Sequence, residues 1–129
     1  MNGRVLLDTN IIIGLFAGDS GISKRISKAA EIFIPVVALG ELHYGAYRSS
    51  RVKENHRIID DFAGRNTVLF CNLETAKRYG EIKNYLKQKA SPIPENDIWI
   101  AAISRQYGLA LITKDAHFKN IQNLKLELL

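Results

Sequence analysis

The amino-acid sequence predicts an α/β protein in which helices cover both faces of a parallel β-sheet. Short, uninterrupted apolar runs alternate with longer segments of helical periodicity, an order that is typical of parallel sheets. The chain has 129 residues, 47% of them apolar, which is enough for one domain, 1–129, with a sizeable core. Ligands of such sheets bind beyond the carboxyl ends of the strands, so that edge is the expected place for a functional site.

The first part of the chain is predicted to fold as strand, helix, helix, strand. The first strand ends at Leu7, and Thr9 and Asn10 can cap the helix that follows. A glycine-containing turn over 18–21 separates this helix from the next, and Pro35 ends the second strand. The predicted bounds are a strand over 4–7, helices over 11–17 and 22–30, and a strand over 32–34.

The remainder is predicted to add four helices and three strands. Two helices come first, and the turn 64–66 separates them from an apolar strand. An amphipathic helix follows and is broken at Pro92, and Gly108 ends the last helix. The predicted bounds are helices over 36–48, 52–63, 74–89 and 95–107, and strands over 67–71, 109–113 and 124–129.

Composition narrows the functional classes. The longest apolar stretch is far shorter than the ~18 residues that span a membrane, and the N-terminus lacks a signal-peptide layout. We therefore expect a cytoplasmic protein without a membrane partner. Cys71 is the only cysteine, and its position in an apolar run predicts a buried core thiol. The net charge of +5 favours a polyanionic partner such as nucleic acid, or an acidic protein.

Four acidic residues lie at the edges of elements that are predicted to be buried, where a carboxylate is costly unless something pairs with it. Asp8 and Asp115 each follow a strand, so the topology places both at one edge of the sheet. Glu41 and Asp97 lie on predicted helices. Each acid alone could be a cap, turn or surface residue. Clustered, the carboxylates would repel each other, and Mg²⁺ or Mn²⁺ would remove that penalty.

Other chemistries find little support in the sequence. It contains no glycine-rich phosphate loop, no zinc-spaced histidine pair and no serine-nucleophile motif. Trp99 and Tyr44 are interpreted as core residues rather than base-stacking groups. The basic run from Arg48 to Arg57 is either a solvated face or a contact for RNA or an acidic partner. All three histidines are interpreted as packing or surface groups: His43, His56 and His117.

Four stretches of the chain resemble motifs of PIN-domain ribonucleases, most closely the VapC-type toxins of toxin–antitoxin pairs. They occur in the family's order and at its usual separations: LLDTNIII at 5–12, ALGELHYGA at 38–46, PENDIWIAA at 94–102 and LITKDAHF at 111–118. The resemblance implies an α/β/α sandwich around a central parallel sheet of about five strands. It implies four catalytic, metal-binding acids: Asp8, Glu41, Asp97 and Asp115. It also implies three polar neighbours that contact substrate or orient the acids: Thr9, Asn10 and Thr113.

The same resemblance implies a Mg²⁺- or Mn²⁺-dependent endoribonuclease that hydrolyses RNA phosphodiester bonds with metal-activated water. It implies the toxin of a type II system, a homodimer that binds a small antitoxin in a heterotetramer or larger assembly. One alternative is a catalytically inactive RNA-binding or partner-binding module of the same fold. Another is a phosphatase with Asp8 as its nucleophile. The phosphatase is disfavoured because such enzymes usually carry a second aspartate two residues on, where this chain has Asn10.

Overall fold

A five-stranded parallel sheet forms the centre of the protein. The computed structural model describes residues 3–129. Its strands are β1 (Arg4–Leu7), β2 (Glu31–Pro35), β3 (Thr67–Leu69), β4 (Ala110–Thr113) and β5 (Leu126–Leu128). They are arranged in the order β3-β2-β1-β4-β5, and each neighbouring pair is parallel. The predicted parallel sheet of about five strands is therefore confirmed.

Helices cover both faces of this sheet. They are α1 (Thr9–Phe16), α2 (Ser20–Ser27), α3 (Val36–Tyr47), α4 (Val52–Gly64), α5 (Leu73–Gln88) and α6 (Glu95–Tyr107), with a 3₁₀ helix at Ala116–Asn120. Side chains alternate across β1, so Val5 and Leu7 pack with α1 to α4 whereas Leu6 packs with α5 and α6. This arrangement is the expected α/β/α sandwich. Among the described residues, none of the helices combines the length and apolarity that crossing a bilayer requires.

The chain order creates a switch point between β1 and β4. From β1 the chain builds outward on one side through β2 and β3, and it then returns to add β4 and β5 on the other side. In open α/β sheets the crevice at such a point is where ligands bind. The carboxyl ends of β1 and β4 therefore meet at the position where a site is expected.

Several elements differ from the expected bounds by a few residues, and three local differences have a physical cause in the structure. Helix α1 begins at Thr9 rather than at 11, because the side chain of Asp8 accepts the Thr9 N–H and caps the helix. Strand β3 ends at Leu69, which pairs with the last residue of β2, so the chain beyond it has no strand to pair with. Cys71 is consequently exposed, and its prediction as a core thiol is wrong.

Candidate active site

Two central strands carry the first group of polar side chains at their carboxyl ends. Parallel pairing of Leu7 with Ile112 sets Asp8 beside the end of β4. The Thr113 hydroxyl donates to Asp8 Oδ2 at 2.6 Å, and the Thr9 N–H donates to Asp8 Oδ1 at 2.8 Å. Asp8 is only 3% exposed, so these donors fix its carboxylate in a buried position.

Asn10 joins the ends of the two strands. Its side-chain nitrogen lies 3.3 Å from Asp8 Oδ2 and 3.5 Å from Asp115 Oδ2. Its side-chain oxygen accepts the Lys114 N–H at 3.2 Å. The Asp115 N–H in turn donates to the Thr113 hydroxyl oxygen at 3.0 Å. One amide therefore holds two of the four acids in a fixed relation to each other.

Glu41 reaches this group from α3, which begins directly after β2. The Thr9 hydroxyl donates to Glu41 Oε1 at 2.6 Å. Thr9 is the first residue of α1, so the contact connects α1 and α3 above the sheet edge. Burial raises the pKa of Asp8, and the nearby negative charge of Glu41 adds to the rise.

Asp97 completes the cluster from the first turn of α6, where the helix dipole favours a negative charge. Its Oδ2 lies 2.8 Å from Nε2 of His117, although that ring nitrogen makes no hydrogen bond of normal geometry there. His117 Nδ1 lies 3.8 Å from Asp115 Oδ1. One potential ligand atom from each of these three residues lies within 4.8 Å of the other two.

His117 is the site residue that sequence reasoning missed. It was interpreted as a packing or surface group because the sequence around it shows no zinc spacing. The structure places it on the 3₁₀ helix that follows Asp115, against Asp97. Its position two residues after a candidate acid was the only sequence signal, and the short helix that turns it toward the site was not predicted.

Burial and mutual repulsion raise the pKa values of two acids. The pKa of Asp97 is raised to about 6, mainly by burial and also by the charge of Asp8, while His117 opposes the rise. Burial also raises the pKa of Asp8, against the hydrogen bonds from Thr113 and Thr9. Both shifts reflect the cost of holding several negative charges together in a partly dry place. A divalent cation would remove that cost.

The donor set fits a hard divalent cation. Four carboxylates offer oxygen atoms, and Mg²⁺ or Mn²⁺ needs few such ligands because it keeps several waters. His117 offers one nitrogen in addition. The direct contacts and the charge interactions together connect all seven residues that the sequence singled out: Asp8, Thr9, Asn10, Glu41, Asp97, Thr113 and Asp115.

A cavity of about 550 Å³ opens beside this cluster. It is lined by residues of α1, α3 and α6: Thr9, Ile13, Val37, Gly40, Glu41, Tyr44 and Asn96. Tyr44 is 63% exposed at its rim, so its prediction as a core residue is wrong. The cavity gives a ligand of the size of a nucleotide access to the Glu41 side of the acids.

Comparisons with known proteins identify the family of this chain. Residues 5–124 match the PIN domain family. The chain belongs to the PIN-domain family. Ribonuclease VapC2 of Haemophilus influenzae is 32% identical over 127 residues, which are 96% of each chain, and Ribonuclease VapC2 of Rickettsia felis is 32% identical over 95% of each. The structure of VapBC2 from Rickettsia felis bound to a promoter DNA fragment superposes with a TM-score of 0.89 at 27% identity, covering 98% of each chain.

Family membership confirms the resemblance seen in the four sequence stretches. In this PIN domain each of the four stretches contains one acid of the cluster: Asp8 in 5–12, Glu41 in 38–46, Asp97 in 94–102 and Asp115 in 111–118. The last stretch also contains His117, the group that was not singled out. The roles of the individual residues remain predictions.

Proposed function

We propose that this PIN-domain protein is a metal-dependent endoribonuclease and the toxin of a type II toxin–antitoxin pair, acting in the cytoplasm. The observation that carries the proposal is the convergence of four carboxylates, from distant parts of the chain, at the switch point of the sheet. The names of the relatives support RNA as the substrate. They include ribonucleases and, at 29% identity over 96% of each chain, the tRNA(fMet)-specific endonuclease VapC of Shigella flexneri.

The four acids would hold Mg²⁺ or Mn²⁺. When bound, such an ion supplies a Lewis acid that activates water and neutralises charge at the phosphodiester. Asp8 is the best-oriented of the acids, because the Thr113 hydroxyl and the Thr9 N–H each fix one of its oxygens. Asn10 keeps Asp8 and Asp115 in register, so the chain presents its carboxylates in a nearly preformed arrangement.

The geometry disfavours a phosphatase that uses Asp8 as a covalent nucleophile. Both oxygens of its carboxylate already accept hydrogen bonds, and Asp8 is almost completely buried. Asn10, where such enzymes usually carry a second aspartate, instead bridges to Asp115. These contacts suit a carboxylate that is held still as a ligand rather than one that attacks phosphorus.

A small antitoxin is the proposed partner. VapBC-1 from nontypeable Haemophilus influenzae superposes with a TM-score of 0.88 at 30% identity over 97% of each chain, and the name of the VapBC-5 structure from Mycobacterium tuberculosis describes VapBC as a family of toxin–antitoxin systems. We infer that this chain forms a homodimer and is inhibited by its antitoxin in a heterotetramer or a larger assembly. Copurification of a short protein encoded beside it would support this part of the proposal.

Cleavage of total RNA by antitoxin-free protein tests the function. Wild-type protein should cut with Mg²⁺ or Mn²⁺ and stop in EDTA, leaving 5′-phosphate and 3′-hydroxyl ends. Asp8→Asn should lower the rate by roughly 100-fold or more, because it weakens the cation site. Asp61→Asn, which changes an exposed carboxylate on α4, is the matched control and should keep the wild-type rate.

Three results would contradict the proposal. The first is that no RNA is cut with either cation, which would favour the inactive binding module. The second is wild-type activity in Asp8→Asn. The third is a 2′,3′-cyclic phosphate product, because it requires attack by the ribose 2′-hydroxyl instead of water.

A further inference from the structure

One face of α3 leads away from the carboxylates toward solvent. Ala38, Leu42 and Ala46 are buried at four-residue intervals. Gly40, Tyr44 and Arg48 are exposed at the same interval on another side of the helix. The exposed face starts beside Glu41 and continues for about two turns beyond it, so a ligand held at the acids can extend along it.

Tyr44 presents an open aromatic ring at the start of this face. It lines the same cavity as Glu41 and Thr9. Residues three apart on a helix have Cβ atoms about 5–6 Å from each other, so Tyr44 and Glu41 are neighbours on the surface of α3. Gly40 adds no side chain, and a Cβ built there meets no atom within 4 Å. Gly40 therefore leaves open space beside Glu41 on this face.

Arg48 brings a positive charge to the Tyr44 ring. Its Nη1 donates to the Tyr44 hydroxyl at 3.0 Å, and its guanidinium carbon lies 5.7 Å from the ring centroid. Over residues 3–129 the Arg48 guanidinium makes no salt bridge, so its charge is available to an anionic ligand.

We propose that Tyr44 stacks on an unpaired nucleobase next to the scissile phosphate, while Arg48 contacts the neighbouring backbone phosphate. This inference rests on the proposed function, since it assigns a contact for the RNA that the acids would cut. An open aromatic face beside a guanidinium is the usual protein chemistry for single-stranded RNA. A duplex keeps its bases stacked on each other and cannot offer one to the ring.

An exposed tyrosine by itself is common on protein surfaces. The shared cavity distinguishes Tyr44 from the other exposed tyrosine of α3, Tyr47, which is 71% exposed but does not line the cavity. The ring of Tyr47 packs instead on His56, with 4.4 Å between centroids. Continuity with the acids favours the substrate over a protein partner, because a substrate placed at Glu41 reaches Tyr44.

The test is a binding cycle in which the protein and the nucleobases are changed separately. All proteins carry Asp8→Asn so that RNA is not cut during the measurement. Fluorescence anisotropy gives the dissociation constants for a labelled single strand of about 12 mixed-sequence nucleotides, and for an equal strand in which tetrahydrofuran spacers replace every nucleoside. Preference for the strand that carries bases should fall about 5- to 150-fold in Tyr44→Ala, the range expected from the loss of one stacked base.

Matched variants separate stacking from other effects. Tyr44→Phe keeps the ring and should keep most of the base preference, whereas Tyr44→Leu keeps bulk and should lose it. Arg48→Gln should weaken both strands alike and reduce the salt dependence of binding, as removal of a phosphate contact does. Tyr47→Ala should leave the base preference unchanged. Melting curves of each variant show whether the fold is retained.

Equal weakening of both strands by Tyr44→Ala would overturn the inference, and so would an unchanged base preference. A Tyr44→Ala protein that keeps the base preference but loses affinity for the antitoxin would instead identify the ring as a protein contact. The outcome is independent of catalysis. Base preference in a protein that never cuts RNA would refute the proposed function alone, and cutting without a Tyr44-dependent preference would refute this inference alone.

Discussion

The acid cluster makes a prediction about stability in the absence of metal. Asp97 is buried beside Asp8 and Glu41, and its pKa in the folded protein is raised from 3.8 to about 6. The folded state therefore binds this proton more tightly than the unfolded chain does. The resulting stabilisation is complete below pH 3.8 and is lost as the pH rises through about 6. Metal-free wild-type protein should thus become less stable as the solution approaches neutrality.

The magnitude follows from the same two values. A shift of about 2 pKa units corresponds to about 3 kcal/mol at most, reached only when the pH is well below 3.8. Between about pH 5 and about pH 7.5 the linkage relation gives a loss of about 1 kcal/mol. The side chain of Asp97 is 13% exposed, so solvent screening reduces this value little.

Urea denaturation in EDTA at the two pH values measures the effect. Asp97→Asn cannot titrate at this position, so it should lose about 1 kcal/mol less than wild type over the interval. Asp61→Asn, on the exposed side of α4, should behave as wild type. Taking the difference between proteins cancels the titration of groups that both share. An equal pH dependence in wild type and Asp97→Asn would refute the account of the site as a set of carboxylates that destabilise one another.

Three further outcomes are expected. Mn²⁺ at about one hundred times its dissociation constant should raise the free energy of unfolding of wild type by about 2.7 kcal/mol, and Asp8→Asn should lose most of this gain in a thermal-shift assay. Thr113→Val removes the hydroxyl that donates to Asp8. The affinity for Mn²⁺, measured by metal titration of RNA cleavage, should therefore become about 10- to 100-fold weaker. An unchanged titration would contradict this role of Thr113. Gly108→Ala should lower the free energy of unfolding, measured with urea, by about 1 kcal/mol because this residue ends α6 at φ 65°. Gly80→Ala, within α5 and facing open space, should raise it by roughly 0.5–1 kcal/mol.

Half of the site could be placed from the sequence because strand ends are easy to locate. Asp8 and Asp115 follow apolar runs, and parallel strands bring their carboxyl ends to one edge, so their proximity follows from topology. The position of Glu41 depends on how α3 packs on α1, and that of Asp97 on how α6 packs over the sheet. Hydrophobic periodicity shows that a helix is buried but not which residue of it faces the site. The family resemblance supplied that information for both.

The remaining differences come from short-range geometry that composition does not encode. Cys71 continues an apolar run in the sequence. However, β3 ends at Leu69, where its neighbour in the sheet, β2, also ends. Tyr44 lies between buried residues in the sequence, yet its place on the helix turns it to solvent. His117 depends on a single 3₁₀ turn. In all three cases the local direction of the backbone at one residue decides whether its side chain is buried. Hydrophobic periodicity describes a whole element and does not resolve the direction of a single residue.

Asp8 connects the fold and the site, and this determines which substitution is informative. Its carboxylate caps α1 through the Thr9 N–H and also receives the Thr113 hydroxyl. Asp8→Ala would remove the cap as well as the charge, and a lost helix cap alone costs about 1 kcal/mol. Asn caps a helix as well as Asp does, so Asp8→Asn preserves the start of α1 while it removes one negative charge from a crowded site. If Asp8→Asn loses cleavage but keeps or gains stability without metal, the negative charge of Asp8 is needed for function. The fold then needs only the side-chain oxygen that caps α1.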